Sequence, residues 1–429
     1  MTVRRRGQGM RSSKRRCSLF TLHARQGHIQ KPKLLKEHFL KNKHFLKNTK
    51  KKQRGRPLRQ RSNQKTMHEQ QHLQQSTQAR QNHQHYPEQE ADLSIFTRLL
   101  SKNLSLRNEF ILVVGDEGTP TSQASLFLAR RFAQAAKTLG KNHKLIVLRK
   151  RDIGEEGDEL FSEELLKLPQ ESIIILTLSG KIGTLPQIKK SFRSFCAARR
   201  HRFLSASNLQ SLPPQNLPAF IKALAADYDA MAKEGALLKE ALTRANSVQI
   251  KTPAGTDLTM SVRGARAILA NATYPEPGTG GNIPGSEVYI APVENTANGV
   301  LVIDGSLRVR RGTILPKAPV TLTIKHGSVT AITGGSAAQE LEETLRWAEK
   351  RAKYPERIRK VAELGIGLNP LASIVGLTVL DEKARNTAHI AFGSNNWFGG
   401  TIKSIIHLDQ VIKNPRLLLD GKPLPRFTD

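Results

Sequence analysis

The chain has 429 residues, 38% of them hydrophobic, and a formal net charge of +32 at pH 7. That length leaves room for two or three domains and a real core. Two cysteines, Cys17 and Cys196, exclude a disulfide framework and a Cys-rich zinc module, and they fit a reducing, cytoplasmic compartment. No apolar run reaches the roughly 18 residues of a membrane-spanning helix, and the N-terminus lacks the apolar core of a secretory signal.

The charge is uneven: residues 1–90 hold 23 Lys and Arg against 4 Asp and Glu, more than half of the excess. Rich in Arg, Lys, Gln and His and poor in aromatics, residues 1–91 read as a disordered tail. A polybasic arm contacting nucleic acid or acidic surfaces, a transit peptide, and an upstream extension of a chain starting at Met67 all fit this composition. His83-Gln84-His85 is the kind of pair that polar tails carry by chance, and no site is placed there.

From about residue 92 the pattern changes to strands alternating with helices. FILVV at 110–114, LIVL at 145–148, IIIL at 173–176 and FLSAS after Arg202 are short β-type runs; 122–139 and 185–199 show helical apolar spacing. This punctuation predicts an α/β domain at 92–247, with a parallel sheet covered by helices. The first turn, GDEGTPTS, matches neither GxGxxG nor a P-loop and reads as a plain turn. A single helix is expected over 222–245, with Asp227, Asp229 and Lys233 outward. Residues 248–429 then read as α+β. VQIKTPAGTDLTMSV is a hairpin about Gly255, further strands are expected at 288–290, 300–303, 321–325 and 329–332, and a helix at 339–351.

The densest chemistry lies at 361–409, where Glu363, His389, His407 and Asp409 interrupt runs of Ile, Leu, Val and Gly. Ionisable groups beside such runs are costly to bury unless paired or bound to a metal. His407-Leu408-Asp409 is the sharpest piece, because on a strand the period of two puts imidazole and carboxylate on one face. Glu287 enters an apolar strand from the flexible EPGTGGNIPG loop, a common position for a site residue. Glu287, Glu363, His389, His407 and Asp409 make five oxygen and nitrogen donors without sulfur, a set suited to Zn²⁺, Mn²⁺, Co²⁺ or Fe²⁺.

Five ordered motifs carry a resemblance: AGTDLTMSV, GSEVYIAPVE, AELGIGLNP, DEKARNTAHIAFG and IIHLDQV, ending in LLLDG. From Gly255 onward the chain resembles the M29 family of metallo-aminopeptidases, the aminopeptidase T and aminopeptidase S group, or a close non-peptidase relative. The resemblance implies two divalent ions (Zn, Co or Mn) on Glu287, Glu363, His389, His407 and Asp409, release of N-terminal residues from peptide substrates, and a homodimer. Glu363 would then take the proton of a metal-activated water and pass it to the leaving amine, with Glu382 outside the ligand set. One position departs: the family's peptidases carry a Tyr seven residues after the His of TAHIAFG, suited to an oxyanion, where this chain has Asn396 followed by Trp397. Asn396 could donate in its place. His389, His407 and Asp409 alone would instead make a mononuclear iron triad, and some relatives are dihydroxypyridine ring-cleaving dioxygenases. A nucleic-acid-binding protein using residues 1–90 is the non-enzymatic alternative.

Overall fold

The computed structural model describes residues 92–151 and 155–424; the basic tail, with the contacts expected of it, lies outside them. After α1 (Leu93–Arg98), the first layer is built from β1 (Ile111–Asp116), α2 (Ala124–Thr138), β2 (His143–Leu148), α3 (Glu159–Lys167), β3 (Ile173–Thr177), α4 (Phe192–Ala198) and β4 (Arg202–Ala206). The strands pair in parallel in the order β2-β1-β3-β4, as the alternating pattern predicts. β1 and β3 are buried on both faces, which is why they read as unbroken apolar runs. In the first turn, Gly118 N–H and Ser179 N–H both donate to the Asp116 carboxylate, at 3.0 and 2.7 Å. GDEGTPTS is thus a tied turn.

Two expected helices are divided. Residues 185–199 form a short turn at Pro186–Ile188 and then α4, which starts where Ser191 accepts the Ser194 N–H. The span 222–245 falls into α5 (Leu217–Leu224) and α6 (Tyr228–Arg244). Asp227 stops one and caps the other by accepting from Asp229 and Ala230 N–H, both at 3.1 Å.

The rest of the described chain forms two antiparallel sheets. Its strands are β5 (Ser247–Lys251), β6 (Asp257–Ser261), β7 (Ile268–Ala270), β8 (Gly280–Asn282), β9 (Glu287–Ile290), β10 (Asn298–Ile303), β11 (Leu307–Val309), β12 (Gly312–Ile314), β13 (Val320–Lys325) and β14 (Ser328–Thr333). After α7 (Gly335–Glu349) come β15 (Val361–Gly367), β16 (Thr387–Gly393), β17 (His407–Lys413) and β18 (Arg416–Leu419). One sheet runs β14-β13-β10-β6-β5-β18, with β19 (Lys422–Pro423) beyond β18 at its edge, and the other β12-β11-β17-β16-β15-β9-β7. The 248–261 hairpin forms as β5 and β6. β8 behaves differently: it lies beyond residue 247 yet pairs in parallel with β4 as the edge of the first sheet.

β15, β16 and β17 are the middle of the second sheet. One face carries Leu364, Ile366, Ile390, Phe392, Leu408 and Ile412 into the core shared with β5, β6, β10 and β13. Each such side chain contributes about 1.5–3 kcal/mol on burial, so the register of these strands is strongly held. A one-residue slip would turn the whole apolar set outward, and the opposite face is therefore fixed as well.

Candidate metal centre

That opposite face collects every metal donor anticipated from the sequence. Gly393 pairs with His407, Ala391 with both Glu363 and Asp409, Gly365 with His389 and with Tyr289, and Gly367 with Glu287. Cross-strand partners share a face, so the five donors stand in neighbouring rows, separated by glycine and alanine. The small residues leave room for the long ones. A Cβ on Gly365 would lie 2.0 Å from His389 Nε2, so the imidazole lies directly across that backbone.

The donors converge. His389 Nε2 is 3.3 Å from a Glu363 oxygen and 3.6 Å from Glu287; His407 Nε2 is 3.3 Å from Glu363 and 3.1 Å from Asp409. One ligand atom from each of Glu363, His389 and Asp409 falls within 4.8 Å of the others. His407 Nδ1 donates to the Ser394 carbonyl at 2.7 Å. In the neutral ring this puts the Nε2 lone pair against two carboxylates, which requires a proton or a cation between them. One oxygen of Glu287 is buried without a hydrogen-bond partner among the described residues. Nitrogen and oxygen donors arranged in this way fit a divalent first-row ion.

The electrostatics agree. Burial would lower the pKa of His389, but its hydrogen bond to Glu363 and the charges of Glu287 and Asp409 carry it up to about 9. His407 is raised well above its ordinary value, against burial, by the Asp409 charge and its hydrogen bonds to Asp409 and Glu363. Burial works against ionisation of Glu363 and Asp409 too, yet the imidazoles hold both below the usual carboxylate range.

Lys383 is the residue that sequence reasoning missed. It is 2% exposed, and its ammonium reaches Glu287 at 2.5 Å and Glu382 at 2.7 Å. Two carboxylates keep it charged despite burial. The second of them, Glu382, is pushed by burial up to about 8. The adjacent acid-base pair Glu382-Lys383 in the DEKARNTAHIAFG motif was the available signal, since a Lys buried on this face must be paired.

Asn396 is placed elsewhere. Its side chain is exposed, its amide oxygen accepts from Ser394 Oγ at 2.8 Å, and it is not among the residues lining the cavity in front of the donors. Its neighbours flank that position in different ways. Asn395 is buried and pins the loop, donating to Ala362 O at 3.0 Å and accepting from Ile402 N–H at 2.8 Å. Trp397 is 58% exposed with its ring 4.9 Å from that of His407, and it lines the cavity. This cavity holds about 350 Å³ and is walled by Arg193, Tyr274, Tyr289, Trp397 and the β8 glycines, with Glu287, Glu363, Lys383, His407 and Asp409 in its floor. Cys196 lies away from this cavity, buried, with its thiol pushed by burial up to about 12.

A family model described as 2,5-dihydroxypyridine 5,6-dioxygenase (NicX) matches residues 218–426. The curated 2,5-dihydroxypyridine 5,6-dioxygenase of Pseudomonas putida KT2440 is 27% identical over 196 residues, covering 42% of this chain and 53% of the relative. The matched stretch thus spans about half the length of that relative. Among solved structures, the 2,5-dihydroxypyridine dioxygenase of Pseudomonas putida KT2440 superposes with a TM-score of 0.58 at 20% identity, over 77% of this chain and 94% of that one. Wild-type AmpT from Thermus thermophilus gives 0.53 at 17% identity, over 78% and 98%. The chain shares one scaffold with both. The fold expected from sequence, a parallel α/β layer followed by an α+β region, is the observed one. The resemblance to M29 peptidases is therefore a likeness of scaffold, and the named sequence relative is a dioxygenase. No helix of the described residues is long and apolar enough to cross a membrane.

Proposed function

We propose that this chain is an iron(II)-dependent ring-cleaving dioxygenase acting on a dihydroxylated aromatic heterocycle of the 2,5-dihydroxypyridine type. One observation carries the reading: His389, His407 and Asp409 share one face of the second sheet, the last two lining the cavity, while Glu287, the donor a second ion would need, is ion-paired to buried Lys383. Two imidazoles and one carboxylate are the donor set of non-haem iron oxygenases. The family match and the curated relative support the same chemistry. Iron(II) held by these three side chains would supply dioxygen activation.

The chain's own residues provide the rest. The hydrogen bond from His407 Nδ1 to Ser394 O fixes that ring's tautomer and aims Nε2 inward. Glu363, within 3.3 Å of both imidazoles, is placed to take a proton from a substrate hydroxyl bound beside them. Trp397 offers an exposed aromatic face beside His407, suited to a flat ring. Tyr289 is kept protonated, first by burial and then by Glu287 and Glu363, so its hydroxyl can donate.

A second reading is favoured by Glu363 and Glu287 standing on the same face as the triad. Five donors could hold two ions, as in the aminopeptidase reading, with peptide substrates. The deciding experiment is oxygen consumption by the full chain, reconstituted with iron(II) under anaerobic conditions, on addition of 2,5-dihydroxypyridine. Stoichiometric uptake with loss of the ring chromophore is expected. No uptake, together with zinc- or cobalt-dependent release of N-terminal Leu or Arg from peptide amides, would overturn the dioxygenase reading in favour of the peptidase.

A further inference from the structure

One cation of the cavity has no part in the metal centre. Arg193 lies on α4, and its guanidinium sits over the Phe203 ring, 5.2 Å from the centroid, with Nη1 donating to Gly280 O at 2.9 Å. These two contacts hold the fork in place and use one of its five N–H groups. The cavity acids are committed elsewhere: Glu287 and Glu382 to Lys383, Glu363 and Asp409 to the imidazoles. Arg193 is thus a solvent-exposed cation that lines the cavity, seated by these two contacts and without an anionic partner among the described residues.

The wall beside it is built for close approach. A Cβ on Gly280 would lie 2.3 Å from the Phe203 ring, and one on Gly281 would lie 2.0 Å from the Tyr274 hydroxyl. Only glycine lets β8 run past these two rings, one of which seats Arg193. A planar guanidinium stacked on an aromatic ring is preorganised for a carboxylate, which it can take up through two parallel N–H···O bonds.

We propose that Arg193 binds a carboxylate of the substrate, so that this cavity prefers a dihydroxylated ring bearing a carboxylate over the uncharged parent ring, which is taken without that contact. The ring and its hydroxyls rest on the dioxygenase reading; the carboxylate subsite rests on the geometry of Arg193. It also makes Arg193 a specificity residue that binds the end of the substrate away from the metal donors.

The test compares 2,5-dihydroxybenzoate with its neutral near-isostere 2,5-dihydroxybenzamide. Binding to the zinc-loaded full chain is measured by calorimetry without oxygen, for wild type, Arg193→Met and Arg193→Lys. Wild type should prefer the acid at least tenfold, as a charge-assisted hydrogen-bonded pair requires. Arg193→Met should abolish the preference with metal content unchanged, and Arg193→Lys should restore part of it. Equal affinity of wild type for the two probes, binding of neither, or an intact preference in Arg193→Met would overturn the proposal. The dioxygenase reading fails separately. A preference that depends on Arg193, with no oxygen uptake on any dihydroxylated ring, keeps the carboxylate subsite and removes the oxygenase. Uptake without the preference does the reverse.

Discussion

A methyl group on Gly365 would lie 2.0 Å from His389 Nε2 and 2.1 Å from Cε1, whereas ordinary contact begins near 3.4 Å. The imidazole of a Gly365→Ala variant must therefore retreat by about 1.4 Å. His389 is 1% exposed and lies 3.3 Å from Glu363, so a retreat of this size takes Nε2 away from the other donors. Metal–nitrogen bonds tolerate about 0.2 Å of error. The variant should lose His389 as a ligand and with it at least a hundredfold in metal affinity, beyond the roughly 10–100-fold cost of disturbing a ligand's outer partners. Overpacking should also cost about 1–3 kcal/mol of stability. Gly335→Ala is the control, because a Cβ there meets nothing within 4 Å. The assay is metal-binding calorimetry alongside thermal unfolding, which separates a folded, metal-blind protein from an unfolded one. Gly365→Ala binding metal within threefold of wild type would refute the placement of His389 across this strand.

Lys383→Met leaves Glu287 buried without its cation, so the metal-free protein should lose about 3–5 kcal/mol; added zinc should recover part of this by taking the vacated place, and an unchanged melting curve would count against the ion pair. His201 is fully buried with neither ring nitrogen partnered among the described residues, and its pKa is lowered, first by burial and then by Arg199, to about 4. The unfolded chain binds this proton below its ordinary value of 6.5 and the folded chain resists it, so stability falls as pH drops from 6.5 to 4, by about 3 kcal/mol. His201→Leu should flatten that limb in urea unfolding at several pH values. Arg359 ties β15 to α7 through Glu342, with two contacts of 2.8 Å, and Glu349 at 2.6 Å. Its hydrogen bonds hold Glu342 down at about 2, so this contribution is present above pH 4.5 and lost toward pH 2. Arg359→Met should cost about 1–3 kcal/mol at neutral pH and less in acid, read from the same unfolding series.

Where the chain carried period and burial together, its sequence was readable. β1, β3 and β4 are apolar runs bounded by turns, and each forms within a residue or two of the expected place. The long helix at 222–245 was misread because apolar spacing continues through Ala225 and Ala226. What interrupts it is an Asp227 side-chain cap, a local hydrogen bond that competes with helix propagation. β8 was invisible for a different reason: Gly-Gly-Asn has no apolar pattern, and only pairing with β4 makes it a strand. The donors were legible because Glu, His and Asp inside core strands demand partners. Their convergence depends on the antiparallel register of β9, β15, β16 and β17, which no local pattern encodes. Lys383 carried only the faint signal of its place beside Glu382 in a donor motif, and Arg193 none, since lysine and arginine are usually solvated and the exceptions are set by tertiary burial and stacking. Asn396, seven residues from His389, points instead to Ser394, with Trp397 on the cavity.

The central claim is a one-ion centre on His389, His407 and Asp409, with Lys383 in the place of a second cation. Elemental analysis of the full chain, saturated with divalent iron under anaerobic conditions and desalted, tests it most directly. One ion per chain, lost in His407→Ala and rising toward two in Lys383→Met, is the predicted result. Two ions in the wild-type chain, or an ion retained at full occupancy in His407→Ala, would contradict it.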